Sequence, residues 1–195
     1  MKKEGKLIII SAPSGTGKTT LLKELLKDFP SIVFSVSATT RKPRENEKNG
    51  IDYFFLSQNE FEELIEKDEL LEYEKIYDYY YGTLKSFVFE NLKNGKNVMM
   101  DIDVKGALNV KNKYPAAKTI FIVPPSLEEL EKRLKNRKSD SDEDIKKRLI
   151  RAKEEISYKD KFDFVLINDK LEIAKKELKK IIKQIMEESN ESSSY

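Results

Sequence analysis

Residues 6–20, Lys-Leu-Ile-Ile-Ile-Ser-Ala-Pro-Ser-Gly-Thr-Gly-Lys-Thr-Thr, carry an apolar strand directly into a glycine-rich turn and out into a helix. This is the layout of a phosphate-binding loop. Gly15 and Gly17 permit backbone conformations that turn successive N–H groups inward, with no Cβ blocking phosphate oxygens. The helix beginning near Lys18 aims its unsatisfied N–H groups and positive dipole end at the same anion. Lys18 can reach the β- and γ-phosphates, and the Thr19 hydroxyl is placed to ligate Mg²⁺. With Ser14, Thr16 and Thr20 completing the loop, Ser14 to Thr20 form the candidate triphosphate site. Ala12 stands where the general pattern has its first glycine, and alanine is the smallest replacement that still carries a Cβ.

Downstream, hydrophobic periodicity predicts alternating strands and helices. Leu7–Ile10 reads as a buried strand, Thr19–Phe29 as a helix and Ile32–Ser35 as a short strand. The alternation then breaks. Thr39–Gly50 is polar and loop-like, Tyr53–Leu56 a short strand, and Ser57 with Glu60 a capping box opening a helix through Lys67. Leu70–Ile76 reads as a strand, Tyr77–Gly82 as an aromatic turn, and Thr83 as the N-cap of a helix that Gly95 closes. Regular alternation resumes with strand Asn97–Ile102, helix Lys105–Lys113 and strand Thr119–Val123, which Pro124 and Pro125 stop. Ser126 and Glu129 repeat the capping-box spacing ahead of helix Leu127–Asn136. A polar break at Lys138–Asp144 precedes a charged helix to about Lys159, strand Phe164–Ile167 and helix Leu171–Glu187, and 189–195 reads as a disordered tail. Five buried strands alternating with helices predict a parallel α/β core with two excursions, roughly 35–86 and 127–157.

Composition narrows the chemistry. A 195-residue chain makes one domain and buries roughly 70% of its unfolded surface. With 37 basic and 35 acidic residues, no broad attraction to nucleic acid or a membrane is expected. The absence of cysteine excludes disulfides and thiolate metal sites, and no apolar run reaches signal or membrane-spanning length, so a cytoplasmic protein is expected. The absence of histidine removes the commonest proton shuttle and leaves carboxylates, Lys, Arg, hydroxyls and a hard cation to do any chemistry. Arginine is sparing and clustered: Arg41, Arg44, Arg133, Arg137, Arg148 and Arg151 all fall in the two excursions, against 31 lysines. Where lysine is the default cation, an arginine suggests bidentate phosphate binding. Pro43 stiffens the backbone between Arg41 and Arg44, whereas Arg151 reads as an ordinary solvated helix cation. The strand ending in Asp101 supplies the carboxylate that a phosphate loop needs beside it to hold a Mg²⁺-bound water, and Asp103 follows on the same side.

Several segments in order, Ala-Pro-Ser-Gly-Thr-Gly-Lys-Thr (12–19), Phe-Ser-Val-Ser-Ala-Thr-Thr-Arg-Lys-Pro-Arg (34–44), Asn-Gly-Ile-Asp-Tyr (49–53), Tyr-Gly-Thr (81–83), Asp-Ile-Asp (101–103) and Pro-Pro-Ser-Leu-Glu-Glu-Leu-Glu-Lys-Arg-Leu (124–134), resemble the guanylate kinase family. The match is collinear from about Gly5 to Ile185. It implies an α/β fold of the P-loop NTPase type: a parallel β-sheet flanked by helices, with a mixed α/β GMP-binding insertion and a helical lid. A single domain would then comprise a core of 1–34, 84–126 and 158–188, the insertion 35–83 and the lid 127–157. The implied reaction of purine nucleotide metabolism moves the γ-phosphoryl of ATP to GMP or dGMP with Mg²⁺, in a monomer or homodimer. By the same resemblance Arg41, Arg44, Tyr53 and Tyr81 match the contacts to GMP phosphate, Glu72 the guanine-binding glutamate, Ser37, Thr83 and Asp103 other base contacts, and Asn168 a contact to adenine. Lid closure would bring Arg133, Arg137 and Arg148 onto the phosphates, beside Lys18, Arg41 and Asp101 as the catalytic set, with Thr19 and Asp101 (through water) serving the metal.

That assignment makes chemical sense. A phosphate monoester as acceptor needs cations and hydroxyl donors to hold it near a second anion. Guanine offers N1–H and N2–H beside its O6 acceptor, which calls for a carboxylate next to a hydroxyl. Spacing alone reads Glu72 as an exposed strand carboxylate; the resemblance reverses that. Two departures stand out: Lys105 where the family has glutamine, and Thr83 for a frequent serine, the hydroxyl kept. Rival readings are a non-catalytic, protein-binding guanylate-kinase-like module, which the intact Gly15, Gly17, Lys18 and Thr19 disfavour, and a related kinase of phosphorylated sugars, which Glu72, Ser37 and Thr83 disfavour. A regulatory GTPase lacks support, since no Asn-Lys-x-Asp run is present.

Overall fold

The computed structural model describes residues 4–76, 78–136 and 141–188. In chain order the elements are β1 (Leu7–Ser11), α1 (Lys18–Asp28), β2 (Val33–Phe34), β3 (Ala38–Thr39), β4 (Phe54–Phe55), α2 (Gln58–Glu66), β5 (Leu70–Ile76), β6 (Tyr79–Leu84), α3 (Lys85–Lys93), β7 (Val98–Asp101), α4 (Val104–Lys113), β8 (Lys118–Val123), α5 (Leu127–Asn136), α6 (Asp142–Ile156), a 3₁₀ turn (Lys159–Lys161), β9 (Phe164–Ile167) and α7 (Leu171–Glu187).

Every residue of β1 is apolar or small and buried, so the strand needs cover on both faces, which parallel sheets provide. It lies at the centre of a five-stranded parallel sheet of order β2-β7-β1-β8-β9. Alternate side chains feed two cores. Leu7 and Ile9 pack with Val88 of α3 and Ala107 of α4, while Ile8 and Ile10 pack with Leu21 and Leu25 of α1 and Leu178 and Ile182 of α7. Lys6, buried, donates from Nζ to the carbonyls of Ile185 and Glu188 at the end of α7. Because the strands are parallel, the loops after β1, β7, β8 and β9 emerge on one edge of the sheet, the edge at which such folds bind ligands.

The first excursion builds its own four-stranded sheet, β4-β3-β6-β5, with β6 antiparallel to both neighbours. Helix α2 covers it, burying Phe61 against Tyr80 with ring centroids 5.3 Å apart. The Ser57–Glu60 capping box is present. The predicted aromatic turn is instead most of strand β6, and β3 lies at the start of the predicted loop. Gly82 explains the misreading: a Cβ there would sit 2.8 Å from the Glu72 carbonyl oxygen and 3.0 Å from the Phe61 ring, so the glycine marks close packing of strands and not a turn. Thr83 consequently lies within β6, and α3 starts at Lys85 without a side-chain cap.

In the second excursion α5 and α6 share a small core of Leu130, Leu134, Ile145 and Ala152. Ser126 accepts from the Glu129 amide at 3.2 Å, but the Glu129 carboxylate turns to Arg133 instead of completing the box. Helix α6 begins earlier than expected, at Asp142 with Ser141 as its cap, and ends at Ile156. Arg137, residues 138–140 of the predicted polar break, Tyr77 and the 189–195 tail lie outside the described residues. Among the described residues no helix is long and apolar enough to cross a membrane.

Candidate active site

Where β1 meets α1 the chain turns through Gly15 and Gly17, with φ of 93° and 88°, values that only glycine adopts without strain. Gly17 has a second reason to lack a side chain: a Cβ would lie 2.7 Å from Nδ2 of Asn168. That amide donates to the Thr16 carbonyl at 2.6 Å, and the Thr16 hydroxyl donates to the Pro13 carbonyl at 3.0 Å, so the loop is fastened from within and from β9. Lys18, the first residue of α1, pairs with Asp101 at the end of β7. Thr19 and Thr20 follow with exposed side chains.

The loop forms one end of a cavity of about 590 Å³ that Ser14 to Thr20 line together with Ser37, Tyr53, Tyr81, Asp101 and Asp103. At its other end lies Glu72 of β5, whose Oε1 accepts a 2.7 Å hydrogen bond from the Thr83 hydroxyl across the strand pair. Burial pushes the Glu72 carboxyl up to about 7, against the stabilising Thr83 bond, and Asp103 and Glu74 raise it further. Asp103 caps α4, its Oδ1 accepting from the amides of Lys105 and Gly106 at 2.8 and 3.1 Å. Gly106 lets this corner close up: a Cβ there would meet Asp103 Oδ2 at 3.0 Å and Glu72 Oε2 at 3.1 Å.

The loop between β3 and β4 brings its arginines close to the cavity without lining it. Arg41 donates from Nη2 to Glu47 and from Nη1 to the Lys42 carbonyl, both at 2.8 Å, and its guanidinium lies 5.3 Å from the Tyr53 ring centroid. The Arg44 amide donates to the second oxygen of Glu47 at 2.8 Å. The segment thus already cradles one oxyanion, with the Arg44 side chain exposed beside it. Tyr53 and Tyr81 meet edge-on, and burial raises the Tyr53 phenol so that it remains a donor.

From the second excursion Arg148 approaches the phosphate loop, its Nη1 3.4 Å from the Ser14 hydroxyl. Arg133 does not line the cavity; its guanidinium donates to the carbonyls of Asn168 and Asp169 at 2.8 and 3.1 Å and pairs with Glu129. Asn168 is 5% exposed and spends its amide on Thr16. These two residues meet each other behind the loop, an arrangement sequence reasoning did not anticipate. It also missed three cavity-lining charges, Glu74, Arg151 and Glu155. The signal was available: Glu74 alternates with Glu72 on one strand face, and Arg151 follows Arg148 by almost one helical turn.

Thr19, next to Lys18 in the chain, and Asp101, paired with Lys18, bring a hydroxyl and a carboxylate to the cavity, hard oxygen donors that suit Mg²⁺. Among the described residues no cluster of three or more acidic side chains could hold a metal ion unaided.

The guanylate kinase family model matches residues 4–185. A guanylate kinase of Caldanaerobacter subterraneus subsp. tengcongensis is 48% identical over 93% of this chain and 88% of its own length, and that of Clostridioides difficile is 45% identical over 99% and 93%. The crystal structure of guanylate kinase from Anaplasma phagocytophilum superimposes with a TM-score of 0.77 at 29% identity, covering 97% of this chain and 90% of that one. Matched along nearly its whole length by the family model and by relatives of this identity, the chain belongs to the guanylate kinase family.

Proposed function

We propose that this protein transfers the γ-phosphoryl group of ATP to GMP, giving ADP and GDP. The observation that carries the reading is one cavity with a phosphate loop at one end and, at the other, a largely buried carboxylate beside a hydroxyl. Neither a protein-binding module nor a sugar-phosphate kinase calls for that pairing. The loop and Lys18 hold the triphosphate; Glu72 accepts guanine N1–H and N2–H, with Ser37, Thr83 and Asp103 at the base edge. Tyr53 and Tyr81 donate to the acceptor phosphate, and Arg41 and Arg44 replace their Glu47 contact by a dianion. Mg²⁺, when bound near Thr19 and Asp101, neutralises charge building up between the two phosphates.

GMP phosphate is anionic at neutral pH, so direct in-line transfer needs positioning and charge neutralisation and no histidine. The α5–α6 unit acts as the lid, with Arg148 already pointing at the loop and Arg133 and Arg137 as its further cations; closure excludes water that would hydrolyse ATP. Asn168, tied to Thr16, sets the height of the loop floor. A cytoplasmic setting fits a cysteine-free chain. The decisive experiment is a coupled assay of ADP formation with Mg²⁺-ATP over a panel of nucleoside monophosphates. Stimulation is expected from GMP and dGMP; none from any monophosphate would end the enzyme reading.

Lysine at position 41 or 44 keeps the charge but loses the planar fork, and at 41 also the face packed on Tyr53. Each substitution is expected to lower kcat/KM for GMP about 100-fold, on the order of 2–3 kcal/mol of charge-assisted bonding. Near-wild-type kinetics in both would return these arginines to the class of solvated cations.

A further inference from the structure

We propose that Arg151 of α6 closes onto Glu74 of β5, a latch between the lid and the GMP-binding insertion that makes both of them positioning residues for phosphoryl transfer. The inference rests on the kinase reading above. Its starting point is an oxygen without a partner: Glu74 Oε2 is buried and accepts no hydrogen bond, which in a native structure requires an explanation. Glu74 lies opposite Tyr81 in the β5–β6 register, on the face it shares with Glu72, and lines the cavity. Asp103, its acidic neighbour, is committed through Oδ1 to the cap of α4; it repels an ionised Glu74 and can pair with it only by sharing a proton.

The complementary group lines the same cavity from the other side. Arg151 binds Glu155 through Nε at 2.8 Å, and its two terminal amino groups have no partner among the described residues. Its side chain is 52% exposed. Electrostatics point the same way: burial, then Asp103, pushes the Glu74 carboxyl up to about 7, and the opposing pull comes from Arg151 and Lys105. Lys105 belongs to α4, on the central sheet, so only Arg151 travels with α6. An acceptor and a donor, each incomplete and carried by parts on opposite sides of a substrate cleft, are what a closing contact looks like before it closes.

The test is a double-mutant cycle on the full chain, measuring kcat/KM for GMP in wild type, Arg151→Gln, Glu74→Ala, the double variant and Arg151→Lys, with melting curves to confirm folding. The two single variants are each expected to lose about tenfold, the double variant no more than about twofold beyond the worse single, and Arg151→Lys to stay within about threefold of wild type. Since the chain has no cysteine, spin labels at Lys75→Cys and Lys147→Cys report the β5–α6 distance directly. With GMP and a non-hydrolysable ATP analogue it should shorten in wild type and not in Arg151→Gln. Losses that multiply in the double variant, or equal closure without Arg151, overturn the latch alone. No GMP-dependent turnover in the wild type overturns the enzyme reading and the latch with it.

Discussion

Lys18→Ala is expected to lower kcat by at least about 1000-fold while leaving GMP affinity within about threefold of wild type, because a fixed charge on the transferring group commonly contributes 10²–10³ or more. Lys18 opens α1 directly after the loop and is held toward the cavity by Asp101, so its ammonium is aimed before substrate arrives. Nothing else in the loop can take over: Thr16, Thr19 and Thr20 are neutral, and Arg148 comes from another element. Folding should survive. Alanine is the best helix former, and Asp101, with its side chain 26% exposed, can be hydrated once its partner is gone. Calorimetry separates the two ends of the cavity. ATP affinity should fall and GMP affinity should not; parallel loss of both would contradict a cleft with independent triphosphate and monophosphate ends.

The parts of this site that were legible in the sequence are those set by local backbone geometry. A strand followed by Gly15, Gly17 and Lys18 permits one turn, and the end of an apolar strand fixes where Asp101 sits beside it. The parts that were not legible depend on what folds back from a distance. Gly82 reads as a turn residue until Phe61 of α2 is seen filling the space its side chain would take. Asn168 and Arg133 are 35 residues apart, and only the parallel crossover that lays β9 beside β8 makes them share a carbonyl behind the loop. The charge of Arg151 looked solvated because a helix rich in Lys, Arg and Glu has no face that composition alone marks as inward. Glu74, the latch partner we propose for it, was hidden by the strong assignment of Glu72 two residues earlier.

Glu72→Gln is expected to weaken catalysis and strengthen the fold at the same time, an opposition that a surface carboxylate would not produce. In the native state burial raises the Glu72 carboxyl from 4.5 to about 7, so between those values the folded protein binds more protons than the unfolded chain. Stability therefore falls as pH rises through that window, and above it the ionised, desolvated carboxylate is a standing penalty. Glutamine removes the charge and can still accept from Thr83. At pH 8 the variant should be more stable by about 2 kcal/mol, a rise in Tm of roughly 4–8 °C for a chain of this size, whereas at pH 5 the two proteins should melt alike. Guanine recognition moves the other way. One acceptor becomes a donor facing the N1–H or N2–H of the base, while adenine, with an N1 acceptor and an N6 donor, matches an amide better than a carboxylate. Leaving a buried donor unpaired costs roughly 1–3 kcal/mol, so the preference for GMP over AMP in kcat/KM should fall at least about tenfold. Melting curves at the two pH values and kinetics with both monophosphates decide it: an unchanged GMP/AMP ratio would move guanine recognition away from Glu72, and equal melting at pH 8 would mean that its carboxylate is already solvated in the free enzyme.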